Sequence, residues 1–240
     1  MKGIILAGGT GSRLYPITRV TNKCLLPVGK EPMIFRMLDI FKKSNIEDVM
    51  LITGPEHMGD VISVVGSGSE HGCSMTYKVQ DTANGIAAAL GMCSSFAKGD
   101  KFVVILGDNI FSDNDEVSSL IKDFNELHEE YRLFTKKVPD PQRFGVPVIN
   151  QDGKVIDILE KPNIPPSDRA IIGLYCYTDE VFDVIKTLKP SQRGEYEISD
   201  VNSWLVKNRR GSLVDVKCEW IDAGTHESYK RANEILWNLK

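Results

Sequence analysis

Lys2-Gly3-Ile4-Ile5-Leu6 runs directly into Ala7-Gly8-Gly9-Thr10-Gly11-Ser12-Arg13-Leu14. A short aliphatic run that ends in a glycine-dense turn reads as a buried strand delivering a loop to the edge of an open sheet, where α/β proteins hold their ligands. Glycines leave successive backbone N–H groups unobstructed, so such a loop closes around an anion, and Arg13 adds a guanidinium fork. The ligand implied is polyanionic. Without one, the same residues make a plain strand-to-helix connection.

Offsets exclude two familiar phosphate loops. The dinucleotide fingerprint needs a third glycine, but counting from Gly9 and Gly11 gives Leu14, and no acid that ends a second strand follows about twenty residues on. The ATPase loop needs Gly-Lys where, counting from Gly8, Arg13 and Leu14 stand. A third kind of loop remains.

Working outward, Lys2 to Leu6, Asp48 to Thr53, Met75 to Val79 and Phe102 to Leu106 read as strands buried on both faces. Apolar residues at three- and four-residue spacing predict helices over Met33 to Lys43, Asn84 to Ser95 and Glu116 to Leu127. The first half is therefore a doubly wound, three-layer α/β sheet. From about Leu133 the texture changes to strands at Val146 to Ile149, Val155 to Glu160 and Ala170 to Tyr177, with Asp152-Gly153 as a tight turn. Helices follow at Glu180 to Leu188, Ile198 to Lys207 and His226 to Trp237. No linker separates the halves, so one domain over 1–240 is expected, with Pro162 to Pro166 as a loop over a site.

A chain of 240 residues with 42% hydrophobic composition buries a substantial core. A formal charge of -4 gives no broad basic surface, which disfavours nucleic acid and anionic membranes as partners. The five cysteines are odd in number, scattered and without a Cys-x-x-Cys pair, so reduced thiols are expected. With no signal peptide and no membrane-length apolar stretch, the expected location is cytoplasmic.

Acids that follow apolar strands are the candidates for chemistry. Phe102 to Leu106 runs into Gly107-Asp108-Asn109, where Asp108 can hold Mg²⁺ from a strand tip or merely form an Asx turn. A second such acid is Asp222, in Trp220-Ile221-Asp222-Ala223-Gly224-Thr225. At Glu160-Lys161-Pro162 a third strand ends in an acid beside a base, which suits a sugar phosphate: the carboxylate accepts from ring hydroxyls and the ammonium meets the phosphate. A solvated surface ion pair is the alternative.

Taken in order, Gly8-Gly9-Thr10-Gly11-Ser12-Arg13-Leu14, Asn22-Lys23-Cys24-Leu25-Leu26-Pro27, Leu106 to Phe111, Arg143-Phe144-Gly145-Val146, Glu160-Lys161-Pro162, Arg193-Gly194-Glu195 and Asp222 to Glu227 resemble the sugar nucleotidyltransferases, and among them the glucose-1-phosphate thymidylyltransferases. The resemblance runs from Met1 nearly to Lys240. It implies a Rossmann-like three-layer fold with a mixed, mostly parallel sheet and a small antiparallel annex over the sugar, residues 1–132 serving mainly the nucleotide and 133–240 mainly the sugar. The implied substrates are dTTP and glucose 1-phosphate, giving dTDP-glucose and pyrophosphate. It assigns Arg13, Lys23, Asp108, Lys161 and Asp222 to the reacting centre, with Mg²⁺ on Asp108 and Asp222. The nucleotide would meet Leu6, Gly8, Gly9, Thr10, Gly11, Ser12, Arg13, Gln80, Gly85 and Asp108, and Gln80 would read the pyrimidine edge. The sugar phosphate would meet Phe144, Gly145, Glu160, Lys161, Ile171, Tyr175 and Arg193. A homo-oligomer, dimer or tetramer, is also implied.

Three positions depart from that pattern. Cys24 and Ala88 stand where glutamines are usual, which removes polar groups expected near the nucleotide, and Phe144 replaces a tyrosine near the sugar. The same chemistry with another nucleoside triphosphate or sugar 1-phosphate, and a non-catalytic regulatory subunit, are the alternatives. Retention of Asp108 argues against the last.

Overall fold

The computed structural model describes residues 1–237. In chain order the elements are β1 (Lys2–Ala7), β2 (Pro27–Val28), β3 (Glu31–Pro32), α1 (Met33–Lys43), β4 (Asp48–Thr53), α2 (Met58–Val65), β5 (Ser74–Val79), α3 (Ile86–Gly91), α4 (Ser94–Ala97), β6 (Phe102–Leu106), β7 (Asn109–Phe111), α5 (Asn114–Glu126), β8 (Tyr131–Lys137), β9 (Gly145–Ile149), β10 (Val155–Glu160), β11 (Arg169–Tyr177), α6 (Val181–Thr187), α7 (Ile198–Asn208), β12 (Gly211–Asp215), β13 (Trp220–Asp222) and α8 (His226–Trp237).

The continuous apolar runs of the central strands follow from a core on each face of the sheet. Ile5 of β1 packs into one apolar cluster with Met37, Phe41 and Phe124 from α1 and α5. Its neighbours Ile4 and Leu6 enter the other, with Leu90, Val184 and Val201 from α3, α6 and α7. Successive strand side chains point to opposite faces, so neither face tolerates a polar residue here. Helix α1 buries Met33, Ile34, Met37, Leu38 and Phe41, an i, i+3, i+4 stripe. Helix α5 begins where Asp113 accepts from the amides of Asp115 and Glu116 at 2.9 and 3.1 Å, satisfying two donors that the first turn leaves over.

One nine-stranded sheet spans both halves in the order β10-β9-β11-β6-β1-β4-β5, with β8 beside β11 and β12 beside β8. The stretch β6-β1-β4-β5 is parallel, and β11 runs antiparallel to β6 and β8. β11 changes partner along its length: Leu174 to Tyr177 pair with β6, whereas Ile171 pairs with Gly145 of β9. The antiparallel annex is thus the β9–β10 hairpin, carried on the main sheet, and its Asn150–Lys154 turn has Gly153 at φ +76°, where the Asp152-Gly153 pair predicts it.

Several expectations need correction. β5 is the terminal strand, with Ser74 and Thr76 exposed, and is not buried on both faces. The helix expected over 84–95 starts only at Ile86, after Gly85 at φ +109° against the backbone of Tyr196, and is interrupted by a turn at Met92 and Cys93. Helix α2 and strands β7, β8, β12 and β13 add elements that the apolar patterning left unread.

Register brings the strand tips together. Leu6 lies between Ile52 and Leu106, Ala7 lies beside Thr53, and Gly107 N–H donates to the Leu6 carbonyl at 2.8 Å. The glycine loop and Gly107-Asp108 therefore leave the sheet side by side.

Candidate active site

The loop after β1 is followed by 3-10 turns at Ser12–Leu14, Ile17–Arg19 and Lys23–Leu25, and by no α-helix before Met33. Its donors belong to the loop itself. Among the described residues, the N–H groups of Gly9 to Ser12 donate no hydrogen bond within the protein. Asn22, which the sequence reading left without a role, pins the base of the loop: its Nδ2 donates to the Ala7 carbonyl at 3.1 Å and to Thr53 Oγ1 at 2.9 Å, and its Oδ1 accepts from the Cys24 amide at 2.9 Å. That capped turn carries Lys23, whose Nζ contacts Asp108 Oδ2. An asparagine before a short turn is a capping signal, and it was available in the sequence.

Asp108 and Asp222 are neighbours by strand register. β7 and β13 pair Asn109 with Asp222, and the Ala223 amide donates to the Asp108 carbonyl at 2.8 Å. Burial works against the charge on Asp108, but the adjacent Lys23 ammonium and hydrogen bonds from Lys23 and Asn109 hold its carboxyl below the usual range. Burial and the charge of Asp108 push Asp222 up to about 6, with Lys23 and Arg13 opposing. A Cβ placed on Gly224 would lie 2.8 Å from Asp222 Oδ1 and 3.0 Å from Arg13 Nη2, which locates the guanidinium beside that acid. Asp222 Oδ1 is buried without a hydrogen-bond partner. Two adjoining carboxylates with an unpartnered buried oxygen fit a hard divalent cation. Among the described residues no third acid, histidine or cysteine joins them, so the remaining positions on such an ion are left to phosphate and water.

Asn109 sets the geometry of the pair. Its Nδ2 donates to Asp108 Oδ1 at 2.9 Å, and its Oδ1 accepts from the Gly173 amide at 2.9 Å and from Trp220 Nε1 at 2.7 Å. Only glycine fits at 173, since a Cβ there would sit 2.6 Å from the Asn109 side chain.

The cleft has two lobes, of about 540 and 230 Å³, whose linings share Arg13, Leu106, Asp108, Lys161 and Arg193. The larger is lined by Leu6, Gly8, Gly9, Arg13, Lys23, Gln80, Gly85 and Asp108 from the expected set. Thr10 instead borders a hollow of about 150 Å³ next to it, and Gly11 and Ser12 line neither space. Cys24 is in the larger wall with its thiol pushed up to about 12 by burial, so it is an inert apolar surface. Ala88 is not in that wall; Ala83, Ile86 and Ala89 are. Gln80 crosses so close over Gly8 that a Cβ there would meet Gln80 Oε1 at 2.5 Å.

The smaller lobe collects Phe144, Gly145, Glu160, Lys161, Ile171, Tyr175 and Arg193, together with Asp108 and Asp222. Glu160 accepts from Ser199 at 2.5 Å and faces Lys161 Nζ at 3.3 Å and Arg193 Nη2 at 3.6 Å. Buried Glu197, which the sequence reading missed, fixes Arg193 through Nη2 contacts of 2.9 Å to both its oxygens. The Phe144 ring meets Trp220 edge-on at 5.4 Å, so this wall of the smaller lobe packs against the indole that holds Asn109. Burial raises the Tyr175 hydroxyl far above its ordinary value and keeps it neutral.

Comparison with known proteins adds an independent line. A sequence model for nucleotidyl transferases matches residues 2–238. A glucose-1-phosphate thymidylyltransferase of Neisseria meningitidis is 41% identical, over 100% of this chain and 84% of its own length. One from Xanthomonas campestris is 38% identical, over 100% of this chain and 81% of its own. A crystal structure from Bacillus anthracis, provisionally assigned as a glucose-1-phosphate thymidylyltransferase and complexed with sucrose, superposes with a TM-score of 0.93 at 52% identity, covering 100% of this chain and 96% of the other. A UDP-glucose pyrophosphorylase with UDP-glucose, at 22% identity and a TM-score of 0.86 over 97% of each chain, shares the Rossmann-like fold. With phosphate-loop donors and paired carboxylates at one set of strand tips, and relatives alike over the full chain, the protein belongs to the nucleotidyl transferase family.

Proposed function

We propose that this protein transfers a thymidylyl group from dTTP to glucose 1-phosphate, yielding dTDP-glucose and pyrophosphate. The observation that carries the reading is the meeting of two lobes at Asp108, where Arg13, Lys161 and Arg193 line both, with Lys23 on the side of the larger lobe and Asp222 on that of the smaller. Such a shape suits two anionic substrates that react where they touch.

The nucleotide would lie in the larger lobe, its base edge on Gln80 and its phosphates over the glycine loop, with Arg13 on the leaving pyrophosphate and Lys23 beside the α-phosphate. The sugar would lie against Phe144, Gly145, Ile171 and Tyr175, with hydroxyls on Glu160 and its phosphate on Lys161 and Arg193. A phosphate oxygen of the sugar attacks the α-phosphorus in line, and the bond to the β-phosphate oxygen breaks. That oxygen is ionised at neutral pH, so no side chain need remove a proton. The difficulty is repulsion: two unit charges 4 Å apart cost about 4 kcal/mol at an effective dielectric of 20. Four fixed cations offset it and hold the reacting atoms in line. Asp108 and Asp222 would hold Mg²⁺, which supplies Lewis-acid polarisation of phosphate oxygens when bound.

The same reading takes residues 1–132 as mainly nucleotide-binding and 133–240 as mainly sugar-binding within one domain, acting in the cytoplasm as a homo-oligomer. Pyrophosphate release with glucose 1-phosphate and Mg²⁺, compared across dTTP, UTP, CTP, GTP and ATP, tests the activity. Preference for dTTP over purine nucleotides supports it; no release with any nucleotide from folded protein overturns it.

A further inference from the structure

Lys161 and Arg193 line both lobes of the cleft, whereas Phe144, Gly145, Ile171 and Tyr175 line the smaller one alone. This inference rests on the proposed function, under which the two cations meet the phosphate of the sugar 1-phosphate and the four walls meet its ring. The group that reacts is then recognised apart from the ring that carries it.

Both cations are placed by the protein itself. Lys161 has φ +43°, a backbone conformation that residues with a side chain rarely adopt and that persists only where the surroundings impose it. Its amide donates to the Phe144 carbonyl at 3.0 Å, and Pro162 follows it and disfavours the right-handed helical alternative. Arg193 donates from Nε to Glu197 Oε1 at 3.1 Å, and from Nη2 to both Glu197 oxygens at 2.9 Å and to Glu195 Oε2 at 2.8 Å. Glu160 Oε1 lies 3.3 Å from Lys161 Nζ and 3.6 Å from Arg193 Nη2, an acceptor for whatever hydroxyl the ligand brings. A phosphate site held in this way exists before any sugar arrives.

Orthophosphate has the ionised oxygens of a sugar phosphate and, at neutral pH, keeps a P–OH that can donate to Glu160 in place of a ring hydroxyl. We infer that orthophosphate is a second acceptor of the thymidylyl group. One of its ionised oxygens attacks the α-phosphorus of dTTP. The bond from that phosphorus to the bridging oxygen of the β-phosphate breaks, and pyrophosphate leaves with the electron pair. The products are dTDP, whose β-phosphate is the former orthophosphate and keeps its proton until it exchanges with water, and pyrophosphate. One phosphoanhydride is broken and one is formed, so the exchange needs no other reactant. Without the contacts to the ring, kcat/KM should fall about 10⁴-fold below that for glucose 1-phosphate.

The test incubates the full chain with dTTP, Mg²⁺ and oxygen-18-labelled orthophosphate and reads the products by mass spectrometry. Labelled dTDP with unlabelled pyrophosphate is expected, whereas simple loss of the γ-phosphate gives unlabelled dTDP. Glucose 1-phosphate should suppress the initial rate of labelling, because both acceptors need Lys161 and Arg193, and Asp108→Asn should abolish it. Labelling that survives saturating glucose 1-phosphate, or that is undiminished in Asp108→Asn, overturns the inference. Should that variant not fold, suppression by glucose 1-phosphate in the wild type decides. No labelled dTDP from protein that turns over glucose 1-phosphate overturns the inference and leaves the proposed function standing. Labelled dTDP that glucose 1-phosphate suppresses without itself reacting removes the proposed sugar acceptor and leaves the inference. Neither reaction overturns both.

Discussion

Asn109 gives Asp108 a 2.9 Å hydrogen bond from an amide that cannot turn over, because its oxygen already accepts from the Gly173 backbone and the Trp220 indole. The acid best placed for chemistry is thus aimed by a neighbour whose own orientation is set by two distant parts of the chain. Asn109→Ala should lower kcat about 10- to 100-fold, as loss of such orienting partners does elsewhere. It should also cost about 2–4 kcal/mol of stability, since two buried donors lose their acceptor. Steady-state kinetics and urea unfolding on the same protein check both.

Asp108→Asn should reduce turnover at least about 10³-fold with the fold intact, as removal of a group that stabilises reaction charge does. Circular dichroism with a pyrophosphate-release assay checks this; retained activity would remove the metal-holding role.

Asp222 makes the free protein respond to pH in an unusual direction. Its carboxyl is raised to about 6, so the folded state holds the proton more tightly than the unfolded chain does. The stabilisation from protonation is fully present below the unfolded value near 4 and is lost as pH rises through about 6. Asp222→Asn should therefore stabilise the metal-free protein at pH 8 by about 1–3 kcal/mol and make little difference at pH 4. Thermal melts at the two pH values measure it. Added Mg²⁺ should raise the melting temperature of the wild type at pH 8 and not that of the variant.

Gly8→Ala should raise the KM for dTTP more than that for glucose 1-phosphate, because the new methyl displaces Gln80 from the base end and leaves the smaller lobe untouched. Initial-rate kinetics with each substrate varied in turn would expose an equal rise in both, which would contradict the placement of Gln80.

Glu197→Gln should loosen Arg193, whose guanidinium loses a charged partner at 2.9 Å on both oxygens. The KM for glucose 1-phosphate should rise about tenfold, the scale of one charge-assisted hydrogen bond, while that for dTTP stays within about twofold. Product analysis in both reaction directions provides the check.

Sequence patterns revealed what is local. The apolar runs marked β1, β4 and β6 because both their faces are buried, and Asp108 and Asp222 stood out as acids at the ends of such runs. β5 differs: Ser74-Met75-Thr76-Tyr77-Lys78-Val79 alternates polar and apolar residues, the pattern of a strand with one solvated face, and it lies at the sheet's edge. β8 carries Arg132, whose guanidinium finds Glu129 and the Leu120 carbonyl, and β12 pairs only with β8 at a margin of the sheet, neither of which the linear pattern shows. Glu197, Trp220 and Asn109 were missed as site residues for a related reason. Trp220 and Asn109 act through each other across the fold, and Glu197 reads as one acid in a charged run until Arg193 is seen folded back upon it.

The ladder of β7 and β13 joins Asn109 to Asp222, segments from the middle and near the end of the chain. During synthesis, β1, β4, β5 and β6 can assemble their parallel core and present the glycine loop long before Asp222 leaves the ribosome. Such a nascent chain holds one of the two carboxylates and no partner for it. Under the proposed function, a chain cut short upstream of β13 should therefore be a bystander that cannot consume nucleotide.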